Sequence, residues 1–317
     1  MHTTAIVMEQ PERLSLREVA LAEPHEEDVV VDVAWSGIST GTERLLWSGR
    51  MPSFPGMGYP LVPGYESVGR VREAGTRSGR RAGETVFVAG ARCFPAVRGL
   101  FGASAATLVV PGERAIPISE DLGERGVLLA LAATAYHSVA GGGRRDPIQP
   151  PDLIVGHGVL GRLLARLTVI AEYPAPTVWE TDPTRFGEPL GYPVLHPDQD
   201  PKRDYRHIYD VSGDPTILDR AIARLAFGGE VVLAGFYSEP LSFAFAPAFM
   251  REAQIRVAAE WKRADMQAVH DIAESGLLPL DDLITHHAAV GDAERAYRTA
   301  FSDSQCLKMV LDWRGRA

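Results

Sequence analysis

Two patterns of hydrophobic and polar positions divide this chain near residue 125. Upstream of that point, short apolar runs are separated by glycine, proline and polar residues. Such runs are typical of the strands of a small barrel-like domain. Residues 1–125 are therefore predicted to form a β-rich domain, with strands at 29–35, 67–71, 83–88 and 106–110.

Downstream of residue 125, apolar runs alternate with segments that show helical spacing, and this alternation predicts a parallel, doubly wound sheet. The segment 181–205 contains five prolines, so its helix is expected to be short or missing. This α/β domain is predicted over 126–279, with helices at 126–140, directly after 161 and at 215–226, and with strands at 152–155, 176–179, 208–211, 230–236 and 254–259.

A glycine motif, G-x-G-x-x-G, follows the apolar run 152–155 directly and opens a helical segment. The first glycine permits a tight turn, the second lets backbone approach a pyrophosphate, and the third lets the helix pack on the strand. The alternative is a strand-turn-helix unit of another α/β domain. The motif predicts dinucleotide binding by Gly156, His157, Gly158, Val159, Leu160 and Gly161.

An acidic residue, Glu180, ends the next strand and stands 19 residues beyond Gly161. A carboxylate at this place accepts hydrogen bonds from a ribose 2′-hydroxyl and repels a 2′-phosphate, which favours NAD over NADP. Arg185 is the reservation, because an arginine can pair with a phosphate instead. The alternative for Glu180 is a solvated carboxylate at a strand end.

The composition and net charge of the chain argue against several kinds of partner and location. The chain has 317 residues and a net charge of −9 without a basic stripe, so nucleic acid and anionic lipid are poor partners. Its two cysteines lack disulfide or metal spacing, which suits a reducing cytoplasm. Neither a signal-peptide pattern nor an apolar run of ~18 residues is visible, so we expect a cytoplasmic protein without a membrane span.

The segment PGYESVG (63–69) resembles the P-G-H-E-x-x-G element of the medium-chain alcohol dehydrogenases. Together with the glycine motif and the run 228–235, this resemblance covers essentially the whole chain. It implies a GroES-like catalytic domain, a Rossmann NAD-binding domain, and a return of 280–317 to the catalytic domain. It also implies cofactor contacts at Thr134, Ser212, Gly235, Phe236 and Lys308, although Lys308 can equally be a surface lysine.

The departures from this family concern zinc. Ser39 stands where the family has its first cysteine ligand, Tyr65 replaces the histidine, and Ala130 lies about where the third ligand belongs. A catalytic zinc needs about three protein ligands, and serine, tyrosine and alanine do not supply them near neutral pH. The cysteines of the structural zinc lobe are absent too. We therefore expect no metal.

Without zinc, polar side chains must take the proton of an alcohol substrate. The candidates are Ser39, Tyr65, Glu66 and His137. Tyr65 needs a cationic or hydrogen-bonding neighbour to act as a base, because an ordinary tyrosine has a pKa of ~10. His137 can instead be a packed helix histidine, and Glu66 can be a structural partner.

Longer blocks, at 36–69, 98–109, 128–141, 152–168 and 228–253, resemble a branch of this family that acts on the bacteriochlorophyllide macrocycle. The resemblance implies NAD-dependent oxidation of a 1-hydroxyethyl side chain to acetyl. The loop 47–60 is apolar and nearly uncharged, so it is a candidate to receive the macrocycle; the alternative is a core-packing loop or a dimer contact. Its candidate substrate residues are Trp47, Arg50, Met51, Phe54, Met57 and Tyr59.

Two other functions stay open at this point. One is a zinc-free quinone or enone reductase, and the other is a nucleotide-binding relative without catalysis. A homodimer is also possible, since a second apolar cluster must pack in the core or against another subunit. That cluster contains Phe243, Phe245, Phe249 and Met250.

Overall fold

The chain divides at Ala130 and again at Leu280. The computed structural model describes residues 1–53, 55–145, 147–187 and 191–315. The first unit contains Met1–Ala130 and Leu280–Ala317, and the second unit contains Leu131–Pro279. The first unit is therefore made of two chain segments, one at each end of the chain.

Seventeen strands are formed by the described residues. In chain order they are β1 (His2–Gln10), β2 (Arg13–Ala20), β3 (Asp28–Ile38), β4 (Leu61–Val62), β5 (Ser67–Ala74), β6 (Thr85–Val88), β7 (Arg98–Gly99), β8 (Thr107–Pro111), β9 (Ala115–Pro117), β10 (Leu153–Val155), β11 (Thr177–Trp179), β12 (Val194–Leu195), β13 (Tyr205–Asp210), β14 (Leu225–Leu233), β15 (Gln254–Val257), β16 (Ile284–Ala289) and β17 (Lys308–Asp312).

The same residues form seven α-helices and six 3₁₀ segments. The α-helices are α1 (Thr42–Trp47), α2 (Leu129–Ala140), α3 (Val159–Ile170), α4 (Ile217–Ile222), α5 (Phe245–Arg251), α6 (Arg263–Glu274) and α7 (Ala293–Ser302). The 3₁₀ segments are Gly112–Arg114, Glu120–Leu128, Gly141–Gly143, Pro183–Arg185, Asp281–Leu283 and Val290–Asp292.

The first unit is built on two sheets. One has the strand order β2-β1-β4-β7, and the other has the order β16-β17-β3-β5-β6-β9, with β8 paired to β3 as well. β3 is central because its valines are nearly all buried, and apolar strands covered on both faces belong inside a sheet.

The C-terminal strand completes this second sheet. β17 pairs antiparallel with β3, so that Met309 lies opposite Ile38. β5 pairs with the other edge of β3, with Ser67 opposite Ser36. These registers bring three chain segments together, namely the residue after β3, the residues before β5 and the start of β17.

The second unit contains a six-stranded parallel sheet of order β12-β11-β10-β13-β14-β15. Val155 at the end of β10 lies opposite Trp179 at the end of β11 and opposite Asp210 at the end of β13. The strand order reverses at β10, and ligands of open α/β sheets bind at such a point, beyond the carboxyl ends of the strands. The prediction of a doubly wound parallel sheet is confirmed.

Two local predictions are corrected by the structure. The helix predicted at 126–140 begins as 3₁₀ turns and becomes α-helical only at Leu129. The helix predicted at 215–226 is confined to α4, because β14 already begins at Leu225 and pairs with Tyr205. Among its described residues, the proline-rich segment has a 3₁₀ turn in place of a full helix, as expected, and it adds the unpredicted strand β12.

Candidate active site

The glycine-rich loop connects β10 to α3. Gly156 has a φ of +105°, a left-handed conformation that glycine adopts without strain. A Cβ on Gly161 would lie 1.9 Å from the carbonyl oxygen of Gly156, so only glycine lets α3 pack this closely on the strand. A Cβ on Gly158 would meet no described atom within 4 Å. This open space beside the first turn of α3 fits a pyrophosphate, which the N–H groups of a helix N-terminus can bind.

Glu180 lies beside this loop, because β10 and β11 are neighbours in the sheet. Its Oε2 accepts a hydrogen bond from the His157 backbone N–H at 3.2 Å. Its Oε1 accepts from the N–H groups of Thr181 and Asp182, at 2.7 and 3.0 Å. The carboxylate is therefore held at the carboxyl edge of the sheet by backbone donors on both sides. This is the place at which a dinucleotide ribose is held in folds of this type.

The ring of His157 is turned away from solvent. The residue is 0% exposed, its Nδ1 lies 2.7 Å from the Arg185 carbonyl oxygen, and its Nε2 lies 3.1 Å from the Tyr192 hydroxyl. Burial lowers the pKa of His157 to about 4, so the ring is neutral near pH 7. Within the predicted loop, the His157 ring is therefore engaged by the protein and does not face a cofactor.

The remaining predicted cofactor positions of the second unit follow its strands. Ser212 comes after β13 and donates from its backbone N–H and its hydroxyl to Asp210, at 3.0 and 2.6 Å. Gly235 and Phe236 come after β14, and Phe236 is 42% exposed. Since all carboxyl ends of parallel strands meet at one edge, these residues share the edge occupied by Gly156. Thr134 lies on α2 and is partly exposed.

A hydroxyl pair occupies the place in the first unit where β3 ends. Ser39 follows β3, and its Oγ accepts a hydrogen bond from the Tyr65 phenol at 2.5 Å. The Tyr65 ring packs edge-on against Phe101, with 5.0 Å between the ring centroids. Burial raises the pKa of Tyr65 far above its usual range, and the Glu66 carboxyl adds to that shift. Near pH 7 the phenol stays protonated, so it acts as a hydrogen-bond donor and not as the base considered from the sequence.

A buried carboxyl, Glu43, supports this pair and was not identified from the sequence. Its Oε1 accepts from the Ser39 backbone N–H at 3.2 Å, and its Oε2 accepts from the Tyr297 hydroxyl on α7 at 2.8 Å. Glu43 is 0% exposed, and burial raises its pKa to about 7. Glu43 lies in α1, one turn after Ser39, and this spacing could have predicted its contact with the Ser39 backbone. Its contact with Tyr297 could not be predicted, because Tyr297 is far away in the sequence.

A second buried carboxyl, Glu66, pairs with Lys308 at the start of β17. Lys308 Nζ donates to Glu66 Oε2 at 2.5 Å, and both side chains are at most 1% exposed. Burial raises the pKa of Glu66, and the Lys308 ammonium opposes that shift. Glu66 is therefore the structural partner of Lys308, which was the alternative to a catalytic role. Lys308 is neither a surface lysine nor free to approach a pyrophosphate, because its ammonium is enclosed with this carboxylate.

Comparison with known proteins gives matches along the whole chain. Residues 25–120 match the alcohol dehydrogenase GroES-like domain. A protein of Cereibacter sphaeroides named 2-desacetyl-2-hydroxyethyl bacteriochlorophyllide A dehydrogenase is 54% identical over 100% of both chains. A protein of the same name from Rhodobacter capsulatus is 53% identical over 99% of both chains. This chain belongs to that dehydrogenase family.

Solved structures of alcohol dehydrogenase type share the fold of this dehydrogenase. An Escherichia coli enzyme titled short chain alcohol dehydrogenase, solved with NADH, has a TM-score of 0.80 at 24% identity and covers 98% of this chain and 99% of its own. A putative zinc-binding dehydrogenase from Sinorhizobium meliloti, solved with NADP, has a TM-score of 0.81 at 20% identity and the same coverage. The fold expected from the sequence, GroES-like plus Rossmann, is confirmed.

The zinc positions of the alcohol dehydrogenases are filled here by groups that do not fit a zinc ion. The Ser39 hydroxyl is engaged with Tyr65, the Tyr65 phenol resists ionisation, and Ala130 offers only a methyl group. Within residues 1–53, 55–145, 147–187 and 191–315, no group of three or more His, Cys, Asp or Glu side chains could hold a metal ion. The residues at these positions therefore do not form a zinc site.

His137 lies in the second unit as a packed residue of α2. It is 4% exposed, and its Nδ1 lies 2.6 Å from Asp265 Oδ2. Asp265 is itself 0% exposed and also accepts hydrogen bonds from the N–H groups of Lys262 and Gly142. His137 thus joins α2 to the start of α6. This corrects its assignment to proton handling in favour of the packed histidine left open above.

The loop 47–60 packs largely into the first unit. Trp47 and Met51 are each 8% exposed, and the Trp47 ring lies 6.3 Å from Tyr297 and 6.2 Å from Phe301. Met57 and Tyr59 are partly buried against the same core. For Trp47 and Met51 the core-packing alternative describes the structure, because these enclosed side chains have almost no surface left for a macrocycle. Met57 and Tyr59 keep part of their surface exposed. Arg50 is exposed, and Phe54 lies outside the described residues.

Proposed function

We propose that this dehydrogenase oxidises the hydroxyethyl side chain of a bacteriochlorophyllide to an acetyl group, with NAD as the hydride acceptor. The observation that carries the proposal is the identity of 54% over the full length of a protein named for that substrate. Both parts of the chemistry have residues suited to them, a nucleotide-binding edge in the second unit and a hydroxyl pair in the first.

The residues divide the work between binding and proton handling. Bound NAD supplies the acceptor for the hydride. The loop Gly156–Gly161 binds its pyrophosphate, and Glu180 accepts hydrogen bonds from a ribose diol. The Tyr65 phenol donates to Ser39 Oγ, so the Ser39 hydroxyl keeps a proton and a lone pair with which it orients the carbinol hydroxyl. In the oxidation the carbinol loses a hydride from carbon and releases its hydroxyl proton to solvent. Glu43 is the carboxyl nearest to Ser39 and Tyr65 whose charge changes near neutral pH.

The test uses purified protein, NAD and hydroxyethyl bacteriochlorophyllide, with the absorption spectrum of the macrocycle and the formation of NADH followed together. We expect equal amounts of acetyl product and NADH. A macrocycle that already carries the acetyl group is the control and gives no NADH. NAD binding without turnover would support the non-catalytic alternative, and NADPH-dependent reduction of a quinone or enone would support the reductase.

Preference for NAD over NADP belongs to the same proposal and rests on Glu180. A 2′-phosphate would bring negative charge to a carboxylate that is 9% exposed. Glu180→Ala is expected to weaken NAD binding roughly tenfold and to reduce the discrimination against NADP, because a charge-assisted pair is worth ~1.5–3 kcal/mol. Dissociation constants from nucleotide fluorescence measure both effects. Equal affinities of the wild-type protein for the two nucleotides would contradict the preference.

Cytoplasmic location and a homodimer complete the proposal. Both cysteines are free and buried, as suits a reducing compartment, and no helix among the described residues is long and apolar enough to cross a membrane.

In the second apolar cluster, Phe245, Phe249 and Met250 are 72%, 65% and 70% exposed, so the core alternative for this cluster is wrong. A second copy of the chain covering it is consistent with this exposure. Sedimentation of the wild-type protein and of Phe249→Ser tests the dimer.

A further inference from the structure

The segment 181–187, which follows Glu180, is fastened to the glycine-rich loop by one side chain of that loop and one of α3. The carbonyl oxygen of Arg185 accepts two hydrogen bonds from that direction. One comes from the His157 ring at 2.7 Å, and the other comes from Arg162 Nη2 at 2.7 Å. Arg162 also donates from Nε to the His157 carbonyl oxygen at 3.1 Å. His157 and Arg162, one on each side of Gly158, therefore both hold the segment 181–187 at the Arg185 carbonyl group.

The chemistry of the partners fixes the proton on the His157 ring. A carbonyl oxygen can only accept a hydrogen bond, so Nδ1 must carry the ring proton. Nε2 then has a lone pair and accepts from the Tyr192 hydroxyl, which lies 3.1 Å away. His157 is 0% exposed and Tyr192 is 4% exposed, so water cannot replace either partner. A buried donor or acceptor without a partner costs free energy. The series of hydrogen bonds Tyr192–His157–Arg185 therefore favours a single arrangement of donors and acceptors.

The same arrangement determines where the Glu180 carboxylate lies. Its two oxygens accept from the backbone N–H groups of His157, Thr181 and Asp182. Two of these donors belong to the segment 181–187, and the third belongs to His157. Movement of the segment relative to the glycine-rich loop would therefore separate the donors and move the carboxylate.

We propose that His157, held by Tyr192, is a positioning residue for nucleotide selection. It fastens the segment 181–187 to the glycine-rich loop, so that Glu180 meets the ribose diol at a fixed place and the backbone of Arg185 cannot move towards a 2′-phosphate. The proposal rests on the proposed nicotinamide dinucleotide binding and goes beyond it. The ring itself does not touch the nucleotide; its effect passes through the segment that it holds.

The direct test compares three variants. His157→Leu removes both ring contacts, His157→Asn keeps a donor at the place of Nδ1, and Tyr192→Phe removes the hydroxyl that Nε2 accepts from. We expect His157→Leu to weaken NAD binding roughly tenfold, the effect of one lost buried hydrogen bond, and to lower the ratio of NADP to NAD dissociation constants. His157→Asn should restore most of that ratio, and Tyr192→Phe should lie between the two.

Tyr209→Phe is the matched control for loss of stability. Tyr209 is a buried tyrosine of β13 in the same unit, and its hydroxyl donates to the Gln149 carbonyl oxygen at 2.6 Å. We expect this variant to lose stability as Tyr192→Phe does while its nucleotide ratio stays that of the wild type. An equal fall of the ratio in Tyr209→Phe, or an unchanged ratio in a folded His157→Leu, would overturn the proposal.

Hydrogen exchange of the nucleotide-free protein gives a readout that needs neither binding nor activity. The backbone amides of 181–187 should exchange faster in His157→Leu than in the wild type, whereas Tyr209→Phe should leave them unchanged. Unchanged exchange in His157→Leu would show that the ring does not hold the segment. If the wild-type protein binds neither nucleotide, the proposed function fails while the exchange result stands by itself.

Discussion

Ser39 and Tyr65 are the residues proposed to bind the hydroxyl group of the alcohol substrate. The Tyr65 phenol stays protonated and donates to Ser39 Oγ, which leaves the serine proton and one lone pair for a substrate hydroxyl. Ser39→Ala and Tyr65→Phe are each expected to lower turnover by about 10²-fold or more, as loss of a proton-handling or polarising group does.

Steady-state kinetics and NAD titration check this expectation, because NAD affinity should stay unchanged. Ser48→Ala is a suitable control, since the Ser48 hydroxyl donates only to the Leu45 carbonyl oxygen at the end of α1. Normal turnover in both Ser39→Ala and Tyr65→Phe would remove these residues from the reaction.

Glu43 provides a pH-dependent contribution to stability whose sign follows from its raised pKa. The folded protein binds the Glu43 proton up to about pH 7, whereas an ordinary carboxyl releases it near 4.5. The contribution is complete below about pH 4.5 and is lost as the pH rises through 7. Its size is on the order of 3 kcal/mol. Glu43→Gln keeps an acceptor for Ser39 N–H but does not titrate. The variant should therefore lose this dependence of the free energy of unfolding on pH.

Urea unfolding between pH 4.5 and 8 measures the difference between Glu43→Gln and the wild type. The variant should gain relative stability as the pH rises through 7. Glu113→Gln, at an exposed position, should instead give a constant difference. A constant difference for Glu43→Gln as well would mean that this carboxyl is ionised throughout.

At the scale of elements, the pairing of β17 with β3 joins the C-terminal segment to the site. It carries Lys308 to Glu66, and Gly37 on β3 makes room for that carboxylate, since a Cβ there would come within 2.3 Å of Glu66 Oε2. Breaking a buried ion pair on one side leaves an uncompensated charge. Lys308→Met is therefore expected to cost about 3–5 kcal/mol of the free energy of unfolding.

A double-mutant cycle supplies the control for this prediction. Replacing both partners, as in Glu66→Leu with Lys308→Met, should recover much of the loss because no charge then stays buried. Chemical denaturation of the four proteins measures the coupling. A cost below about 1 kcal/mol for Lys308→Met alone would indicate that water reaches the pair.

At the scale of the whole molecule, the site residues predict activity without a metal ion. Ser39, Tyr65 and Ala130 offer zinc no set of ligands, and in the proposed function polar side chains bind the hydroxyl of the substrate instead. Prolonged treatment with a strong chelator is expected to leave both turnover and thermal stability unchanged. Metal analysis of the active protein should find no stoichiometric zinc. Activity that chelation removes and zinc restores would refute this expectation.

The sequence by itself determined the two patterns of elements, the sites of β3, β5 and β10, and the glycine-rich loop with Glu180. These features are local, because strand and helix periodicity and the turn preference of glycine act between neighbouring residues. The same locality explains the errors. The pattern could not show that Trp47 packs on α7 or that the helix at 215–226 gives way to β14.

Tertiary structure alone decided the partners of the buried charges. Glu43 meets Tyr297 across 254 positions, Glu66 meets Lys308 across 242, and His137 meets Asp265 across 128. Of these side chains, only Glu66 and His137 were candidates for catalysis from the sequence. Strand register and helix packing enclose them in pairs, since a buried charge must find a partner. Ser39, whose backbone N–H donates to Glu43, and Tyr65 keep hydroxyl groups outside these pairs.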